Sequence, residues 1–180
     1  MIDAAVAFGA NLGNPPETFA RAIGILARER DVSVTDRSSL WRSAPWGLTD
    51  QPDFVNAVAR LRTDMPALEL LELLKSVEID FGRTEGPRNA PRPLDLDLLW
   101  YGAERRVDIE LTLPHPGLSA RSFVLEPAAE VAPQWRDPAT RRTILQMRDL
   151  LRVDPSRTEC VRLEGTRLGE LRGLVAGCLS

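Results

Sequence analysis

At 180 residues the chain suits a single domain over residues 1–180, long enough to bury roughly 70% of the surface its unfolded form exposes, so folding needs neither a disulfide nor a metal. A net charge of −3 argues against a protein that neutralises many phosphates of a nucleic acid, which requires a basic face. There is no signal-peptide pattern and no apolar run of membrane-spanning length, and the two cysteines, Cys160 and Cys178, lack C-x-x-C spacing; a reduced cytoplasm, small-molecule partners and a monomer are expected, with no membrane or nucleic acid involved.

From the start, Ala4 to Gly9 reads as a short buried strand running into a Gly-Ala-Asn-Leu-Gly turn. Pro15 and Pro16 then open a helix with Phe19, Ile23 and Leu26 on one face. The turn lacks the lysine and hydroxyl of a phosphate-cradling loop, so it reads as a tight turn beside a site. Val32, Val34 and Leu40 mark a second strand that breaks at Ser43-Ala44-Pro45-Trp46-Gly47. A third begins at Phe54, with Phe54 and Asn56 on one face and Val55 and Ala57 on the other. An asparagine beside an aromatic suits the edge and face of a flat heterocycle; the alternative is that Phe54 is core and Asn56 satisfies nearby backbone. Pro66 begins a second helix, with Leu68, Leu71, Leu74, Val77 and Phe81 along one face, ending at Gly82. Glu78 lies near its end, where it either orients a neighbouring group or is solvated.

The next stretch carries the densest chemistry. Arg83, Arg88 and Arg92 lie in a run with Gly86, Pro87, Pro91 and Pro93, which breaks regular structure and is expected to be mobile without substrates. PLDLDLLWY follows, with Leu94, Leu96 and Leu98 alternating with Asp95 and Asp97, the period of a strand bearing two carboxylates on one face. Residues two apart on a strand are roughly 6.6 Å apart, close enough to serve a pair of hard divalent ions. The wet face of an edge strand would look the same. Carboxylates for metal beside arginines for phosphate make the reading of phosphoryl chemistry the stronger one. His115 is the only histidine, so a metal must rely on carboxylate oxygen, which favours Mg²⁺ or Mn²⁺ over Zn²⁺.

The order strand, helix, strand, strand, helix, strand describes an α+β ferredoxin-like βαββαβ sandwich with a four-stranded antiparallel core sheet. The leucines of the Asp-x-Asp strand then face the helices and the aspartates the open face. A charged hairpin-like stretch spans Ala103 to Glu110. His115, between Pro114 and Pro116, is expected on an exposed, extended backbone, either meeting a ligand or facing solvent. Arg121 and Phe123 open another helix. After Leu151, ECVRLEG reads as a short strand, and Leu168, Leu171, Leu174, Val175 and Cys178 fall at helical spacing.

The segment Arg88-Asn-Ala-Pro-Arg92-Pro-Leu-Asp95-Leu-Asp97-Leu-Leu99 resembles the signature of the 6-hydroxymethyl-7,8-dihydropterin pyrophosphokinases of the folate pathway. The resemblance extends in order through Gly-x-Asn-x-Gly, S-x-x-x-R-S-A-P-x-G, D-Q-P-D-F-x-N-A, the helix end from Glu78 to Arg83, L-T-x-P-H and R-x-F-x-L-x-P. It covers Phe8 to about Leu151 and leaves residues 152–180 as an extension.

The resemblance implies transfer of pyrophosphate from ATP to the hydroxymethyl oxygen of the pterin, leaving AMP. Asp95 and Asp97 match the ligands of two Mg²⁺ ions, and Arg83 and Arg92 the catalytic arginines that meet the phosphates. Ser43, Ala44, Pro45, Trp46, Phe54, Asn56 and Phe123 match the pterin pocket. Lys75, Glu78, Arg83, Arg88, Arg92, Leu98, Thr112, His115 and Arg121 match positions around ATP. Three features depart from the pattern: Lys75 stands in place of glutamine, Glu110 stands where a basic residue can occur, and the arginine loop is one residue short and has no tryptophan. Two other readings stay open on the residues alone. One is a two-metal nucleotidyl transferase or cyclase on the same fold, which would want a basic groove; the other is a non-catalytic small-molecule-binding domain, which has no use for two carboxylates facing arginines.

Overall fold

A computed structural model describes residues 1–45, 50–84 and 90–169. Nine residues, buried on both faces over Ala4, Ala5 and Val6, form β1 (Ile2–Ala10), and α1 (Pro15–Leu26) follows with proline in its first turn. The second strand of the sequence reading is two pieces, β2 (Val32–Arg37) and β3 (Ser39–Ser43), interrupted at Ser38, and both pair with β4 (Phe54–Thr63). Then come α2 (Ala67–Asp80) and β5 (Asp95–Tyr101). The sheet order β5-β1-β4-β3, with every neighbour antiparallel, is that of the ferredoxin-like fold. A two-strand hairpin, β6 (Arg106–Val107) and β7 (Thr112–Leu113), falls in and just beyond the charged stretch. It precedes α3 (Ser122–Val131) and α4 (Ile144–Arg152). Among the described residues no helix is long and apolar enough to cross a membrane.

The alternation foreseen for β5 holds as far as Leu98. Leu94, Leu96 and Leu98 join Phe8, Phe19, Leu26, Leu70 and Leu74 in a core between the sheet and α1 and α2. The partners of β1 then shift, from Val6↔Leu98 to Ala5↔Trp100, so Leu99 is an extra residue in β5. Such a bulge resets the side-chain phase. Leu99 and Trp100 therefore both enter a second core on the opposite face, with Ala5, Val58, Leu125, Ala128 and Ile144. The opposite face is thus only partly open: α3 and α4 cover the half beyond Asp97. The sequence reading missed α4, although Thr143 and Gln146 form a capping box at its start.

The strand foreseen after Leu151 is real and longer, β8 (Cys160–Arg167), and it adds to the sheet edge beside β3. Leu168 follows it into the first core at 1% exposure, its N–H donating to the Ser38 carbonyl. Leu168, foreseen as the first residue of a helical face with Leu171, Leu174, Val175 and Cys178, is instead in a turn after β8, and the other four lie outside the described residues. Leu168→Ala is expected to cost about 2–5 kcal/mol, the range for emptying a buried leucine site. A urea melt checks this, and a loss under about 1 kcal/mol would show that β8 does not share the fold's cooperative core.

Candidate active site

One cavity opens where β1, β4 and β5 run side by side. Gly9 pairs with Asp95 on one side and Asn56 on the other, so Asp95, Gly9 and Asn56 form one row across the sheet; Asp97, Ala7 and Val58 form the next. All but Val58 line the cavity, together with Ser43, Ala44, Phe54, Arg92, Arg121 and Phe123. A Cβ on Gly9 would stand 3.7 Å from both the Asn56 Oδ1 and the Asp95 Cβ. The glycine therefore keeps the floor low between the two polar groups, and a branched side chain there would fill it.

The pairing of Phe54 with Asn56 on one strand face is what directs both into the cavity while Ala57, Ala59 and Leu61 face the first core. Asn56 is 6% exposed. Its Nδ2 donates to Ser43 Oγ at 3.0 Å and toward the Trp41 carbonyl at 3.5 Å. This orientation sets Oδ1 beside Gly9. Across the cavity Phe123 stands at the start of α3, with the Arg121 guanidinium 5.9 Å from its ring centre.

Each aspartate has its own pair of basic partners. Asp95 Oδ1 accepts from Arg83 Nη1 at 2.6 Å and from Arg92 Nη1 at 2.9 Å. Asp97 Oδ2 lies 3.8 Å from His115 Nε2 and 4.0 Å from Arg121 Nη1. Burial, and next the charge of Asp95, push the Asp97 carboxyl above its usual range. His115 corrects the expectation of an exposed residue. Its side chain is 22% exposed, its backbone N–H donates to the Leu99 carbonyl at 2.8 Å, and its Nδ1 accepts the Gly117 N–H at 3.0 Å, which leaves the Nε2 proton facing Asp97. Burial pulls the imidazole down from its ordinary value, partly offset by Asp97.

Glu78 is not solvated: it is 4% exposed. Its Oε1 accepts the Leu96 N–H at 2.6 Å, between the two aspartates, and also takes Arg83 Nη1. It braces the Asp-x-Asp segment from α2 and shares Arg83 with Asp95. Burial pushes its carboxyl up to about 7, against the pull of the Leu96 N–H and Arg83. A carboxyl raised in this way holds its proton more tightly in the fold. The stability gained is fully present below about 4.5 and is lost as pH rises through about 7, up to about 3 kcal/mol in all. Glu78→Gln should flatten the stability profile across that window, read as urea midpoints near about pH 5 and about pH 8. Parallel profiles for the two proteins would show that Glu78 titrates as an ordinary carboxyl.

A second cavity, on the α2 side, is lined by Lys75, Glu78, Arg83, Thr84, Arg92 and neighbours. Arg92 lines both cavities. The structure thus brings together Ser43, Ala44, Phe54, Asn56, Phe123, Arg92, Arg121, Asp95 and Asp97, with His115 against Asp97 and Lys75, Glu78 and Arg83 on the adjoining side. Pro45 and Thr112, foreseen at the site, line neither of these cavities. Leu98 requires correction: one residue past Asp97, its side chain is in the first core at 2% exposure and lines neither cavity. Trp46 and Arg88 lie outside the described residues.

Asn11 was read only as part of a turn, yet it ties three segments together. Its Oδ1 accepts the Arg92 N–H at 2.9 Å, and its Nδ2 donates to Gln51 Oε1 at 2.9 Å and to the Pro52 carbonyl at 3.1 Å. An asparagine in a glycine-flanked turn was the available signal. Gly117 was also missed; a Cβ there would come 2.7 Å from Arg121 Nε, so the glycine lets that arginine lie across the turn.

Among the described residues no group of three or more histidine, cysteine or acidic side chains gathers as a metal cage. Two adjacent carboxylates fit a hard divalent ion that keeps waters and takes further oxygens from a phosphate. This donor set does not suit Zn²⁺.

Comparison with known proteins agrees with this geometry. The family described as 7,8-dihydro-6-hydroxymethylpterin-pyrophosphokinase matches residues 5–133. A 2-amino-4-hydroxy-6-hydroxymethyldihydropteridine pyrophosphokinase of Synechocystis is 40% identical over 144 residues, covering 80% of this chain and 73% of that protein. The enzyme of the same name from Pseudomonas aeruginosa is 42% identical over 137 residues, covering 76% and 84%. A mitochondrial folate synthesis bifunctional protein of Arabidopsis thaliana is 44% identical over 126 residues, but the match spans only 23% of it. Among solved structures, wild-type Plasmodium falciparum HPPK-DHPS with pteroate superposes with a TM-score of 0.65 at 12% identity. That match covers 83% of this chain and 42% of the fusion, less than half its length, and at this identity it supports the fold alone. The matched residues contain the whole cavity, from Ala7 to Val124, and the chain belongs to the 7,8-dihydro-6-hydroxymethylpterin-pyrophosphokinase family.

Proposed function

We propose that this chain transfers the pyrophosphoryl group of ATP to the hydroxymethyl oxygen of 6-hydroxymethyl-7,8-dihydropterin, giving the pterin diphosphate and AMP. The observation that carries the reading is the row Asp95–Gly9–Asn56 on one cavity floor, with Phe54 and Phe123 on its walls. Asn56 offers a carboxamide to the amide-like edge of a pterin, and the two phenylalanines offer faces to its ring. Asp95 and Asp97 would hold two Mg²⁺ ions, which when bound neutralise phosphate charge and lower the pKa of the attacking hydroxyl. Arg92 and Arg83 on one side and Arg121 on the other supply positive charge for the polyphosphate, with the His115 Nε2–H as a neutral donor beside them, and orient it in line with the pterin oxygen. Arg92 lines both cavities, which suits a nucleotide reaching from the second into the first. The chain acts on small molecules, and we read it as a monomer in a reducing cytoplasm.

The test is incubation with ATP, Mg²⁺ and the hydroxymethylpterin. AMP formed in step with pterin diphosphate is expected; ADP or free pyrophosphate, or AMP that does not depend on pterin, would overturn the assignment. Asn56→Ala should weaken pterin binding by about 1–3 kcal/mol, because a ring edge built to be hydrogen-bonded is left unpaired, while ATP binding stays near its original value. Calorimetry that shows equal losses for the two ligands would remove Asn56 from the pocket.

A further inference from the structure

We propose that the segment from Thr158 to Val161 is a clasp that joins the two walls of the cavity and sets the width of its pterin side. The proposal rests on the reading that this cavity takes the pterin. One wall is the end of β3, Ser43 and Ala44; the other is the start of α3, Arg121, Phe123 and Val124. α3 meets β3 directly through Glu130, which takes the Ser39 N–H and the Trp41 indole, further back along the strand from Ser43 and Ala44. The clasp meets both walls. Cys160 pairs with Ser43 and Val161 with Arg42 in the β3–β8 ladder. Two residues earlier, the Thr158 carbonyl accepts the hydroxyl of Ser122, the buried first residue of α3 and neighbour of Phe123.

The clasp is anchored at its far end. Arg162 Nε donates to Ser39 Oγ at 2.9 Å and lies 3.5 Å from Glu130 on α3, whose carboxylate also accepts the Ser39 N–H and the Trp41 indole. Beyond it Leu168 is sunk in the first core. The strand therefore cannot slide along β3, and its near end holds Ser43 where its hydroxyl meets Asn56 Nδ2. Family membership does not supply this brace, because the match ends at residue 133. The brace is built on the chain outside the matched region, and Ser122 acts through it as a positioning residue.

Ser122→Ala removes the bond to Thr158 and leaves β8 paired. The expected result is a rise of about fivefold in KM for the pterin, the effect of one lost hydrogen bond, with kcat and KM for ATP within about twofold. Ser122→Thr, which keeps the hydroxyl, should restore the parent value. Arg162→Ala, which loosens the anchor that keeps the strand from sliding, should lower Tm and raise KM for the pterin in the same direction as Ser122→Ala, by a smaller factor. Amide hydrogen exchange on the ligand-free proteins gives a second readout that needs no substrate. In Ser122→Ala, exchange should quicken at Ser43 and Ala44, across the cavity from the substitution, and stay unchanged in β1 and β5. Faster exchange confined to the start of α3, or KM values for both substrates rising together, would overturn the clasp. Absence of pterin-dependent AMP formation in the parent protein would instead overturn the functional reading, and the exchange pattern would still decide the clasp.

Discussion

Asp97→Asn is expected to lower turnover on the order of 10²–10³-fold or more while leaving the protein as stable as the parent or slightly more so. The first half follows from losing a charged ligand aimed at the developing charge of a phosphoryl transfer. The second follows from the position of the carboxylate. Asp97 shares a sheet face with Asp95 and is met only at 3.8–4.0 Å by His115 and Arg121. Its carboxyl is raised because burial and the Asp95 charge both oppose ionisation, so the ionised form at neutral pH carries a stability cost that the amide removes. Asp95→Ala should be as inactive but less stable, since Asp95 Oδ1 is the shared acceptor of Arg83 and Arg92. A thermal melt beside the AMP assay checks both variants. Turnover within tenfold of the parent in either one would remove that aspartate from the metal assignment.

Arg92→Ala should be the second largest loss, on the order of 10²-fold in the chemical step with pterin affinity little changed. Its guanidinium is held by Asp95 and by the Ala90 carbonyl at 3.2 Å, at the junction of the two cavities. Asn11 fixes its backbone from both sides, accepting its N–H and donating to its carbonyl. A phosphate spanning the junction would take over the charge now given to Asp95. Arg83→Ala should act in the same direction but is a less clean test, because it also leaves Glu78 buried without its cation. Single-turnover kinetics paired with a pterin titration separates the two effects. A variant that loses pterin affinity as much as its chemical step would place Arg92 in the pterin pocket instead of at the phosphates.

The parts of this site that were legible in the sequence are those governed by a period of two. Asp95 with Asp97, and Phe54 with Asn56, reach one cavity because alternate residues of a strand share a face, and both pairs could be assigned without knowing which strands are neighbours. The helix face of α1 was legible for the same reason at a period of 3.6, whereas the buried stripe of α2 runs through Ala67, Leu70, Leu74 and Val77, with the foreseen Leu68, Leu71 and Phe81 only partly buried. What stayed hidden depends on pairing between distant segments. Nothing local says that Gly9 lies between Asp95 and Asn56, that Asn11 reaches Arg92 and Gln51, or that a strand near residue 160 returns to the edge beside Ser43. Glu78 and His115 were ambiguous because burial decides their behaviour, and burial is a property of the assembled fold. Leu98 was carried into the site by resemblance, although its own strand parity already pointed it to the core.

The extra residue at Leu99 has a consequence for the reaction medium. Because the phase of β5 resets there, Leu99 and Trp100, both fully buried, follow Asp97 on the same side of the sheet, and Trp135 stacks on Trp100 at 4.6 Å. In a strictly regular strand Trp100 would turn to the other side, and the inner end of the floor would be closed by Leu99 alone. As built, the carboxylate end of the cavity backs onto a double thickness of hydrocarbon and indole. That wall acts as electrical insulation. Field lines from Asp95, Asp97 and their arginines are confined toward the mouth, where the polyphosphate would lie, and are not dissipated into solvent behind.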